Sequence, residues 1–138
     1  MTALVLAERG DRDWLSGRRA EAAAEALLAS LGYGVRARRF RARGGEIDLV
    51  MDDGDVLVFV EVKGRAGHGF GSPGERVDAR KQLRIARAAA AFLALSHLGD
   101  RVCRFDVVEV ETGPDGDRVR HIEDAFRLVG RGRPRWGG

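Results

Sequence analysis

Three charged residues stand where charge is hard to bury. Asp48 interrupts the apolar run of Ile47, Leu49, Val50 and Met51, and Glu61 and Lys63 close the run Val56-Leu57-Val58-Phe59-Val60. An ionised side chain in such a run needs a partner charge or a metal. Carboxylate oxygens are hard donors, and no histidine or thiolate lies near Asp48 or Glu61 in sequence. The pair therefore selects Mg²⁺ or Mn²⁺ over Zn²⁺. Such an ion can hold a phosphate oxygen and orient a water for phosphodiester hydrolysis. Without metal, the two acids should raise each other's pKa. To act as a base, Lys63 would have to titrate about 3 units low, roughly 4 kcal/mol. A cation that positions water and steadies charge on the phosphate oxygens is the first reading of Lys63, and proton abstraction the second. The structural alternative for the set is a buried Lys–Glu–Asp salt-bridge network without catalysis.

The elements that must position these groups are two β-strands. Side chains alternate along a strand, so Glu61 and Lys63 share a face, as do Glu46 and Asp48. A two-residue Asp53-Gly54 turn pairs Asp52 with Asp55, Glu46 with Glu61 and Asp48 with Phe59. Asp48 and Glu61 are then diagonal neighbours on one face, about 7–8 Å apart at the backbone. A three-residue loop would put them on opposite faces.

Around this hairpin the pattern predicts a helix over 14–31, with Ala20, Ala24, Leu27, Leu28 and Leu31 as its buried stripe and Gly32 as its stop. Glu25 reads as a solvated residue with Arg18 as partner; Glu21 lies beside the stripe. Residues 33–40 form a strand. A second helix over 78–98 carries the stripe Leu83, Ala86, Ala90, Leu93 and His97, with His97 capping or packing at its end. A strand over 101–111, a Gly113-Pro114-Asp115-Gly116 turn and a return strand over 117–122 complete the pattern. Asp106, inside the first of these, is assigned a structural pairing with Arg104 in preference to supporting the site. Cys103 reads as a buried thiol. The glycines between Gly64 and Gly74 form a loop that carries Arg65 and His68, and His68 is read as exposed without a role; no Gly-Lys-Ser/Thr ending makes it a phosphate loop.

The chain has 138 residues, enough for one domain over 13–128, with a flexible 1–12 and a disordered basic tail over 129–138. Its net charge of +3 is weak evidence for an anionic partner. The distribution says more. Arg36, Arg38, Arg39, Arg41 and Arg43 crowd one stretch, and Arg127, Arg131, Arg133 and Arg135 crowd the end. Arg80, Lys81, Arg84 and Arg87 gather at the start of the second helix, where basic side chains oppose the macrodipole, which favours a role in meeting phosphates. No run approaches the roughly 20 apolar residues of a membrane span. The expected compartment is the cytoplasm, with no organic cofactor and no membrane partner.

Together these residues resemble a known pattern. Asp48 followed by Glu61-Val62-Lys63 resembles the PD-(D/E)XK nuclease signature, with Ile47 in place of its leading proline. The fuller resemblance is to the YraN-like family of small bacterial proteins, which are similar in fold to Holliday-junction resolvases. It rests on Gly17-Arg18-Arg19-Ala20-Glu21 with Ala24, Leu31-Gly32-Tyr33, Gly45-Glu46-Ile47-Asp48-Leu49, Phe59-Val60-Glu61-Val62-Lys63, Phe70-Gly71 with Pro73, Lys81-Gln82, and Arg104-Phe105-Asp106-Val107-Val108. Two positions depart from it: Gly64 replaces the usual threonine and Ala20 the usual glycine. The resemblance implies an α/β, restriction-endonuclease-like fold, a central mixed sheet flanked by helices. It implies an Mg²⁺- or Mn²⁺-dependent endonuclease of DNA, on branched or single-stranded substrates. Asp48, Glu61 and Val62 would hold the metal, Lys63 would assist the water, and Glu21 would approach from the first helix. Arg18, Arg19, Arg39, Arg41, Arg43, Arg65, Lys81 and Gln82 would meet nucleic acid. Cutting a four-way junction would require a symmetric homodimer. The alternatives are a non-catalytic nucleic-acid-binding module of the same fold and a structural partner of repair or uptake proteins.

Overall fold

Tight hairpins set the first three strands. The computed structural model describes residues 9–66, 77–127 and 135–136. Strands β1 (Gly34–Ala42) and β2 (Gly45–Asp53) are joined by Arg43-Gly44. Both residues have positive φ, 52° and 74°, the requirement of a type I′ turn. The turn from β2 to β3 (Val56–Ala66) is Gly54-Asp55, one residue later than the sequence predicts, and pairs Asp53 with Val56. Gly54 alone has positive φ there, 58°, the pattern of a type II′ turn with glycine first. The register moves by two residues, so Leu49 faces Val60, and Asp48 projects opposite Glu61 instead of Phe59. An even shift preserves parity, and the two acids still meet.

Helix α1 (Arg9–Ser30) precedes these strands and begins earlier than expected. Residues 1–8 lie outside the described residues. Its end follows from Gly32, at φ 94°: Gly32 N–H donates to the Ala29 carbonyl (3.0 Å) and Tyr33 N–H to the Leu28 carbonyl (3.0 Å), a Schellman closure. Ala20, Ala24 and Leu28 are buried, but Leu31 is exposed, because that closure turns the chain away from the sheet.

Helix α2 (Ala79–Ser96) links β3 to the parallel strand β4 (Val102–Thr112), which pairs in turn with antiparallel β5 (Arg118–Phe126). The short strand β6 (Arg135–Trp136) pairs with the start of β4, within the tail expected to be loose. The sheet order is β1-β2-β3-β4-β5. Ala20, Ala24 and Leu28 of α1 pack with Leu49, Met51, Val58 and Val60. Ile85, Ala88, Ala89, Phe92 and Leu93 of α2 pack on the other face with Ile47, Val50, Leu57 and Phe59. The α2 stripe thus differs from the predicted one. Leu83 and Ala90 are exposed, and only Leu93 of the expected set is fully buried, because a run of alanines gives the helical period no phase. His97 is the helix C-cap, at φ 56°. The result is an α/β fold with a mixed sheet between two helices, consistent with the restriction-endonuclease-like architecture. Gly45 fixes the docking of α2, since a Cβ there would overlap the Arg84 carbonyl.

Candidate active site

The β2–β3 ladder stops at Leu49↔Val60. Just beyond it the Asp48 carboxylate accepts a hydrogen bond from Val62 N–H at 2.8 Å. A side chain has taken the place of a backbone acceptor, so Asp48 lies in the gap between splaying strands. A second irregularity lies beside it. Arg39, between the pairs Arg38↔Leu49 and Phe40↔Ile47, faces Asp48 and has φ 49°, the left-handed region. A non-glycine residue there is strained by roughly 1–3 kcal/mol, a strain that clusters at functional sites. It also breaks the alternation of β2: Ile47 and Val50 both join the α2-side core, while Leu49 and Met51 join the α1-side core. Asp48, at the break, is reached from both faces.

Glu61 is 7% exposed and lies on the α2 side. Its carboxylate is paired with the Lys81 ammonium from the first turn of α2. Burial, the Glu61 charge, a hydrogen bond with the Glu61 carboxyl and the Glu21 charge push the Asp48 carboxyl up to about 8, against the lowering effect of Val62 N–H. On the α1 side, Glu21 accepts from Arg39 Nη1 at 2.7 Å. The structure thus brings Glu21, Asp48 and Glu61 to one end of the sheet; strand parity predicts the meeting of Asp48 with Glu61, and the family resemblance implies the approach of Glu21. Lys63 is half-buried on the Glu61 face of β3. Among the described residues no three His, Cys, Asp or Glu side chains cluster tightly enough to enclose a metal by themselves. The donors present are the Asp48 and Glu61 carboxylates, oxygens of the type hard divalent ions take, and Mg²⁺ keeps several waters and needs few protein ligands. The residues fit such an ion.

Two clefts meet at Asp48. The larger, about 770 Å³, is lined by Arg41, Glu46, Asp48, Glu61, Arg80, Lys81 and Arg84. The smaller, about 510 Å³, is lined by Arg18, Glu21, Arg39, Arg41 and Asp48. Arg18, Arg39, Arg41 and Lys81 of the expected nucleic-acid set therefore reach the site. Arg43 sits at the tip of the β1–β2 turn, and Arg65 follows the site along β3. Arg19 points elsewhere, to Asp117 at 2.7 Å and the Gly113 carbonyl at 3.1 Å. Gln82 bonds the Val77 carbonyl at 2.8 Å and helps to start α2. Arg36 pairs with Asp52 and Arg38 with Glu25, so the arginine-rich strand is partly neutralised. Glu25 takes Arg38 from across the helix–sheet interface, not Arg18. Arg80 and Arg84 also line the groove, from the basic cluster at the start of α2 to which the sequence gives a role in meeting phosphates. His68 and the glycines from Gly67 to Gly74 lie outside the described residues, as do Arg131 and Arg133. No described helix is long and apolar enough to cross a membrane.

The two departures from the family pattern prove to be neighbours. A Cβ on Gly64 would lie 3.0 Å from the Ala20 Cβ. A methyl group on α1 thus faces the missing side chain on β3, and the two departures compensate each other.

A model of the family described as "Uncharacterised protein family UPF0102" matches residues 20–110, a span that holds Glu21, Asp48, Glu61, Lys63 and Lys81. A UPF0102 protein of Symbiobacterium thermophilum is 58% identical over 107 residues, 77% of this chain and 90% of the relative. One from Moorella thermoacetica is 50% identical over 68% of this chain and 78% of its own length. One from Geobacter sulfurreducens is 42% identical over 91% of this chain and 99% of its own.

Proposed function

The chain belongs to the uncharacterised protein family UPF0102, and on that premise we propose that it is a metal-dependent endonuclease hydrolysing DNA phosphodiester bonds, on branched or single-stranded DNA in repair, recombination or DNA processing. One observation carries the reading. A buried carboxylate pair, Asp48 and Glu61, stands just past the end of the β2–β3 ladder, at the base of a groove whose rim is Arg41, Arg80, Lys81 and Arg84. Acids that repel each other in a basic groove make sense where a divalent cation and a polyanion meet.

Asp48, Glu61 and the Val62 carbonyl would hold Mg²⁺ or Mn²⁺. Such an ion supplies positive charge to the phosphate oxygens. Lys63 positions the attacking water and steadies the developing charge, and Glu21 approaches from α1. Arg41, Arg80 and Arg84 hold the backbone phosphates, giving binding that weakens as salt rises. A non-catalytic nucleic-acid-binding module is the second reading. It is favoured by the pairing of Glu21 with Arg39 and of Glu61 with Lys81, which gives both acids a partner without metal.

The test is cleavage of labelled single-stranded, duplex, flap and four-way-junction DNA with Mg²⁺, Mn²⁺ or EDTA, for the wild type and Glu61→Gln. The expected result is cutting that needs metal and disappears in the variant. Binding without cutting in either protein, under every metal, would leave the binding module.

A further inference from the structure

Lys81 stands in the first turn of α2, where a positive charge opposes the helix dipole. Its backbone is fixed: the Lys81 N–H donates to the Asp78 carboxylate at 2.8 Å, the helix N-cap. Its side chain crosses the groove to Glu61. The two ends of that ion pair differ sharply. Glu61 is 8% exposed at its side chain and locked in a strand; Lys81 is 54% exposed and ends a flexible four-carbon stem. The acid cannot move and the cation can. Lys81 thus occupies a carboxylate oxygen that a divalent ion would need, and it can leave without disturbing the core. Arg39, which holds Glu21, is built differently, on a strained backbone and one-third exposed.

We propose that Lys81 is a resident cation of the site: it neutralises Glu61 when no divalent ion is bound and competes with that ion for the same carboxylate. The proposal rests on the metal-site reading of Asp48 and Glu61. It makes Lys81 a positioning residue that acts through Glu61, and it gives the protein a site that stays charge-balanced at low metal. A lysine that only held DNA phosphates would change DNA affinity and leave metal affinity alone.

The experiment is Mn²⁺ binding to the full chain without DNA, followed by the electron paramagnetic resonance of the free ion, at one ionic strength. Glu61→Gln reports whether the site exists. Lys81→Met removes the competitor and should tighten Mn²⁺ roughly two- to fivefold, the factor expected of one half-exposed ion pair. Lys81→Arg, which can still pair with Glu61, should not tighten it. Arg84→Met removes the same charge from the same groove, at a residue paired with no acid among those described, and should have a smaller effect than Lys81→Met. Unchanged or weaker binding in Lys81→Met, or equal tightening in Arg84→Met, would overturn the proposal and leave the nuclease reading standing. Equal binding by the wild type and Glu61→Gln would overturn both. As a measurement on the wild type, Mg²⁺ should shift the side-chain ammonium resonance of Lys81; its indifference to Mg²⁺ would also count against the proposal.

Discussion

Asp106 and Asp48 both interrupt apolar strands, and both accept a backbone N–H, from Asp124 at 3.0 Å and from Val62 at 2.8 Å. There the likeness ends. Asp106 is fully buried, and every side of its carboxylate is answered. Arg104 donates from Nε and Nη2 at 2.9 and 3.1 Å, and His121 Nε2 lies 2.7 Å away. Burial alone would raise Asp106, but hydrogen bonds from His121, Arg104 and the Asp124 backbone outweigh it and hold the carboxyl below its ordinary value. Asp48 has one N–H and two other acids, and is pushed the opposite way. A saturated acid is architecture. An acid left facing its own kind is a place for something else to bind.

The largest contrast comes from removing each charge. Asp106→Asn leaves Arg104 and His121 buried beside a neutral group and should destabilise the fold by about 3–5 kcal/mol in urea unfolding. Asp48→Asn keeps an acceptor for Val62 N–H and removes the repulsion. It should leave stability in EDTA unchanged or higher while lowering cleavage at least about a hundredfold. If the two substitutions destabilised equally, the contrast would be broken.

Gly45→Ala asks whether the site needs α2 in place. Its methyl group would meet the backbone of Arg84, so α2 must shift, with a stability loss of about 1–3 kcal/mol and a larger loss of cleavage, because Lys81 and Arg84 move with the helix. Circular dichroism melts and cleavage rates on the same preparation would separate the two effects.

The pH dependence of stability in EDTA should have two opposite limbs. Asp48, raised from 3.8 to about 8, contributes fully below about pH 4, and that contribution is lost as pH rises towards 8. Asp106, lowered from 3.8, contributes above that value, and its share is lost as pH falls further into acid. Asp48→Asn should flatten the alkaline limb and leave the acid one. The smallest effect belongs to the Gly64–Ala20 pair. Gly64→Thr alone should lose about 1 kcal/mol or more against Ala20, and Ala20→Gly in the same chain should recover most of it.

Much of the site was legible in the sequence because strand parity is robust. The turn lies one residue later than the sequence predicts, which moves the register by two, and Asp48 still meets Glu61. The structural role of Asp106 was legible for a similar reason: Arg104 is two residues away on the same face. Other features were not. The Lys81–Glu61 contact depends on how α2 lies across the sheet, which no local pattern encodes. The α2 face could not be phased through Ala88, Ala89, Ala90 and Ala91, which are alike in size and polarity. Nothing in the residue type marks Arg39 for a left-handed backbone, since glycine and asparagine are the usual occupants. The sequence points to Arg18 for Glu25 because a residue on the same helix is the default neighbour, whereas Arg38 comes from the adjacent strand.

The central proposal is that Asp48 and Glu61 form a buried carboxylate pair that accepts a divalent cation in place of Lys81. Thermal unfolding at pH 8, with EDTA and then with excess Mg²⁺, tests it without any substrate. Mg²⁺ should raise the melting temperature of the wild type, as binding to the native state must, and raise that of Asp48→Asn and Glu61→Gln much less. A wild-type melting temperature indifferent to Mg²⁺, or one raised equally in both variants, would contradict it.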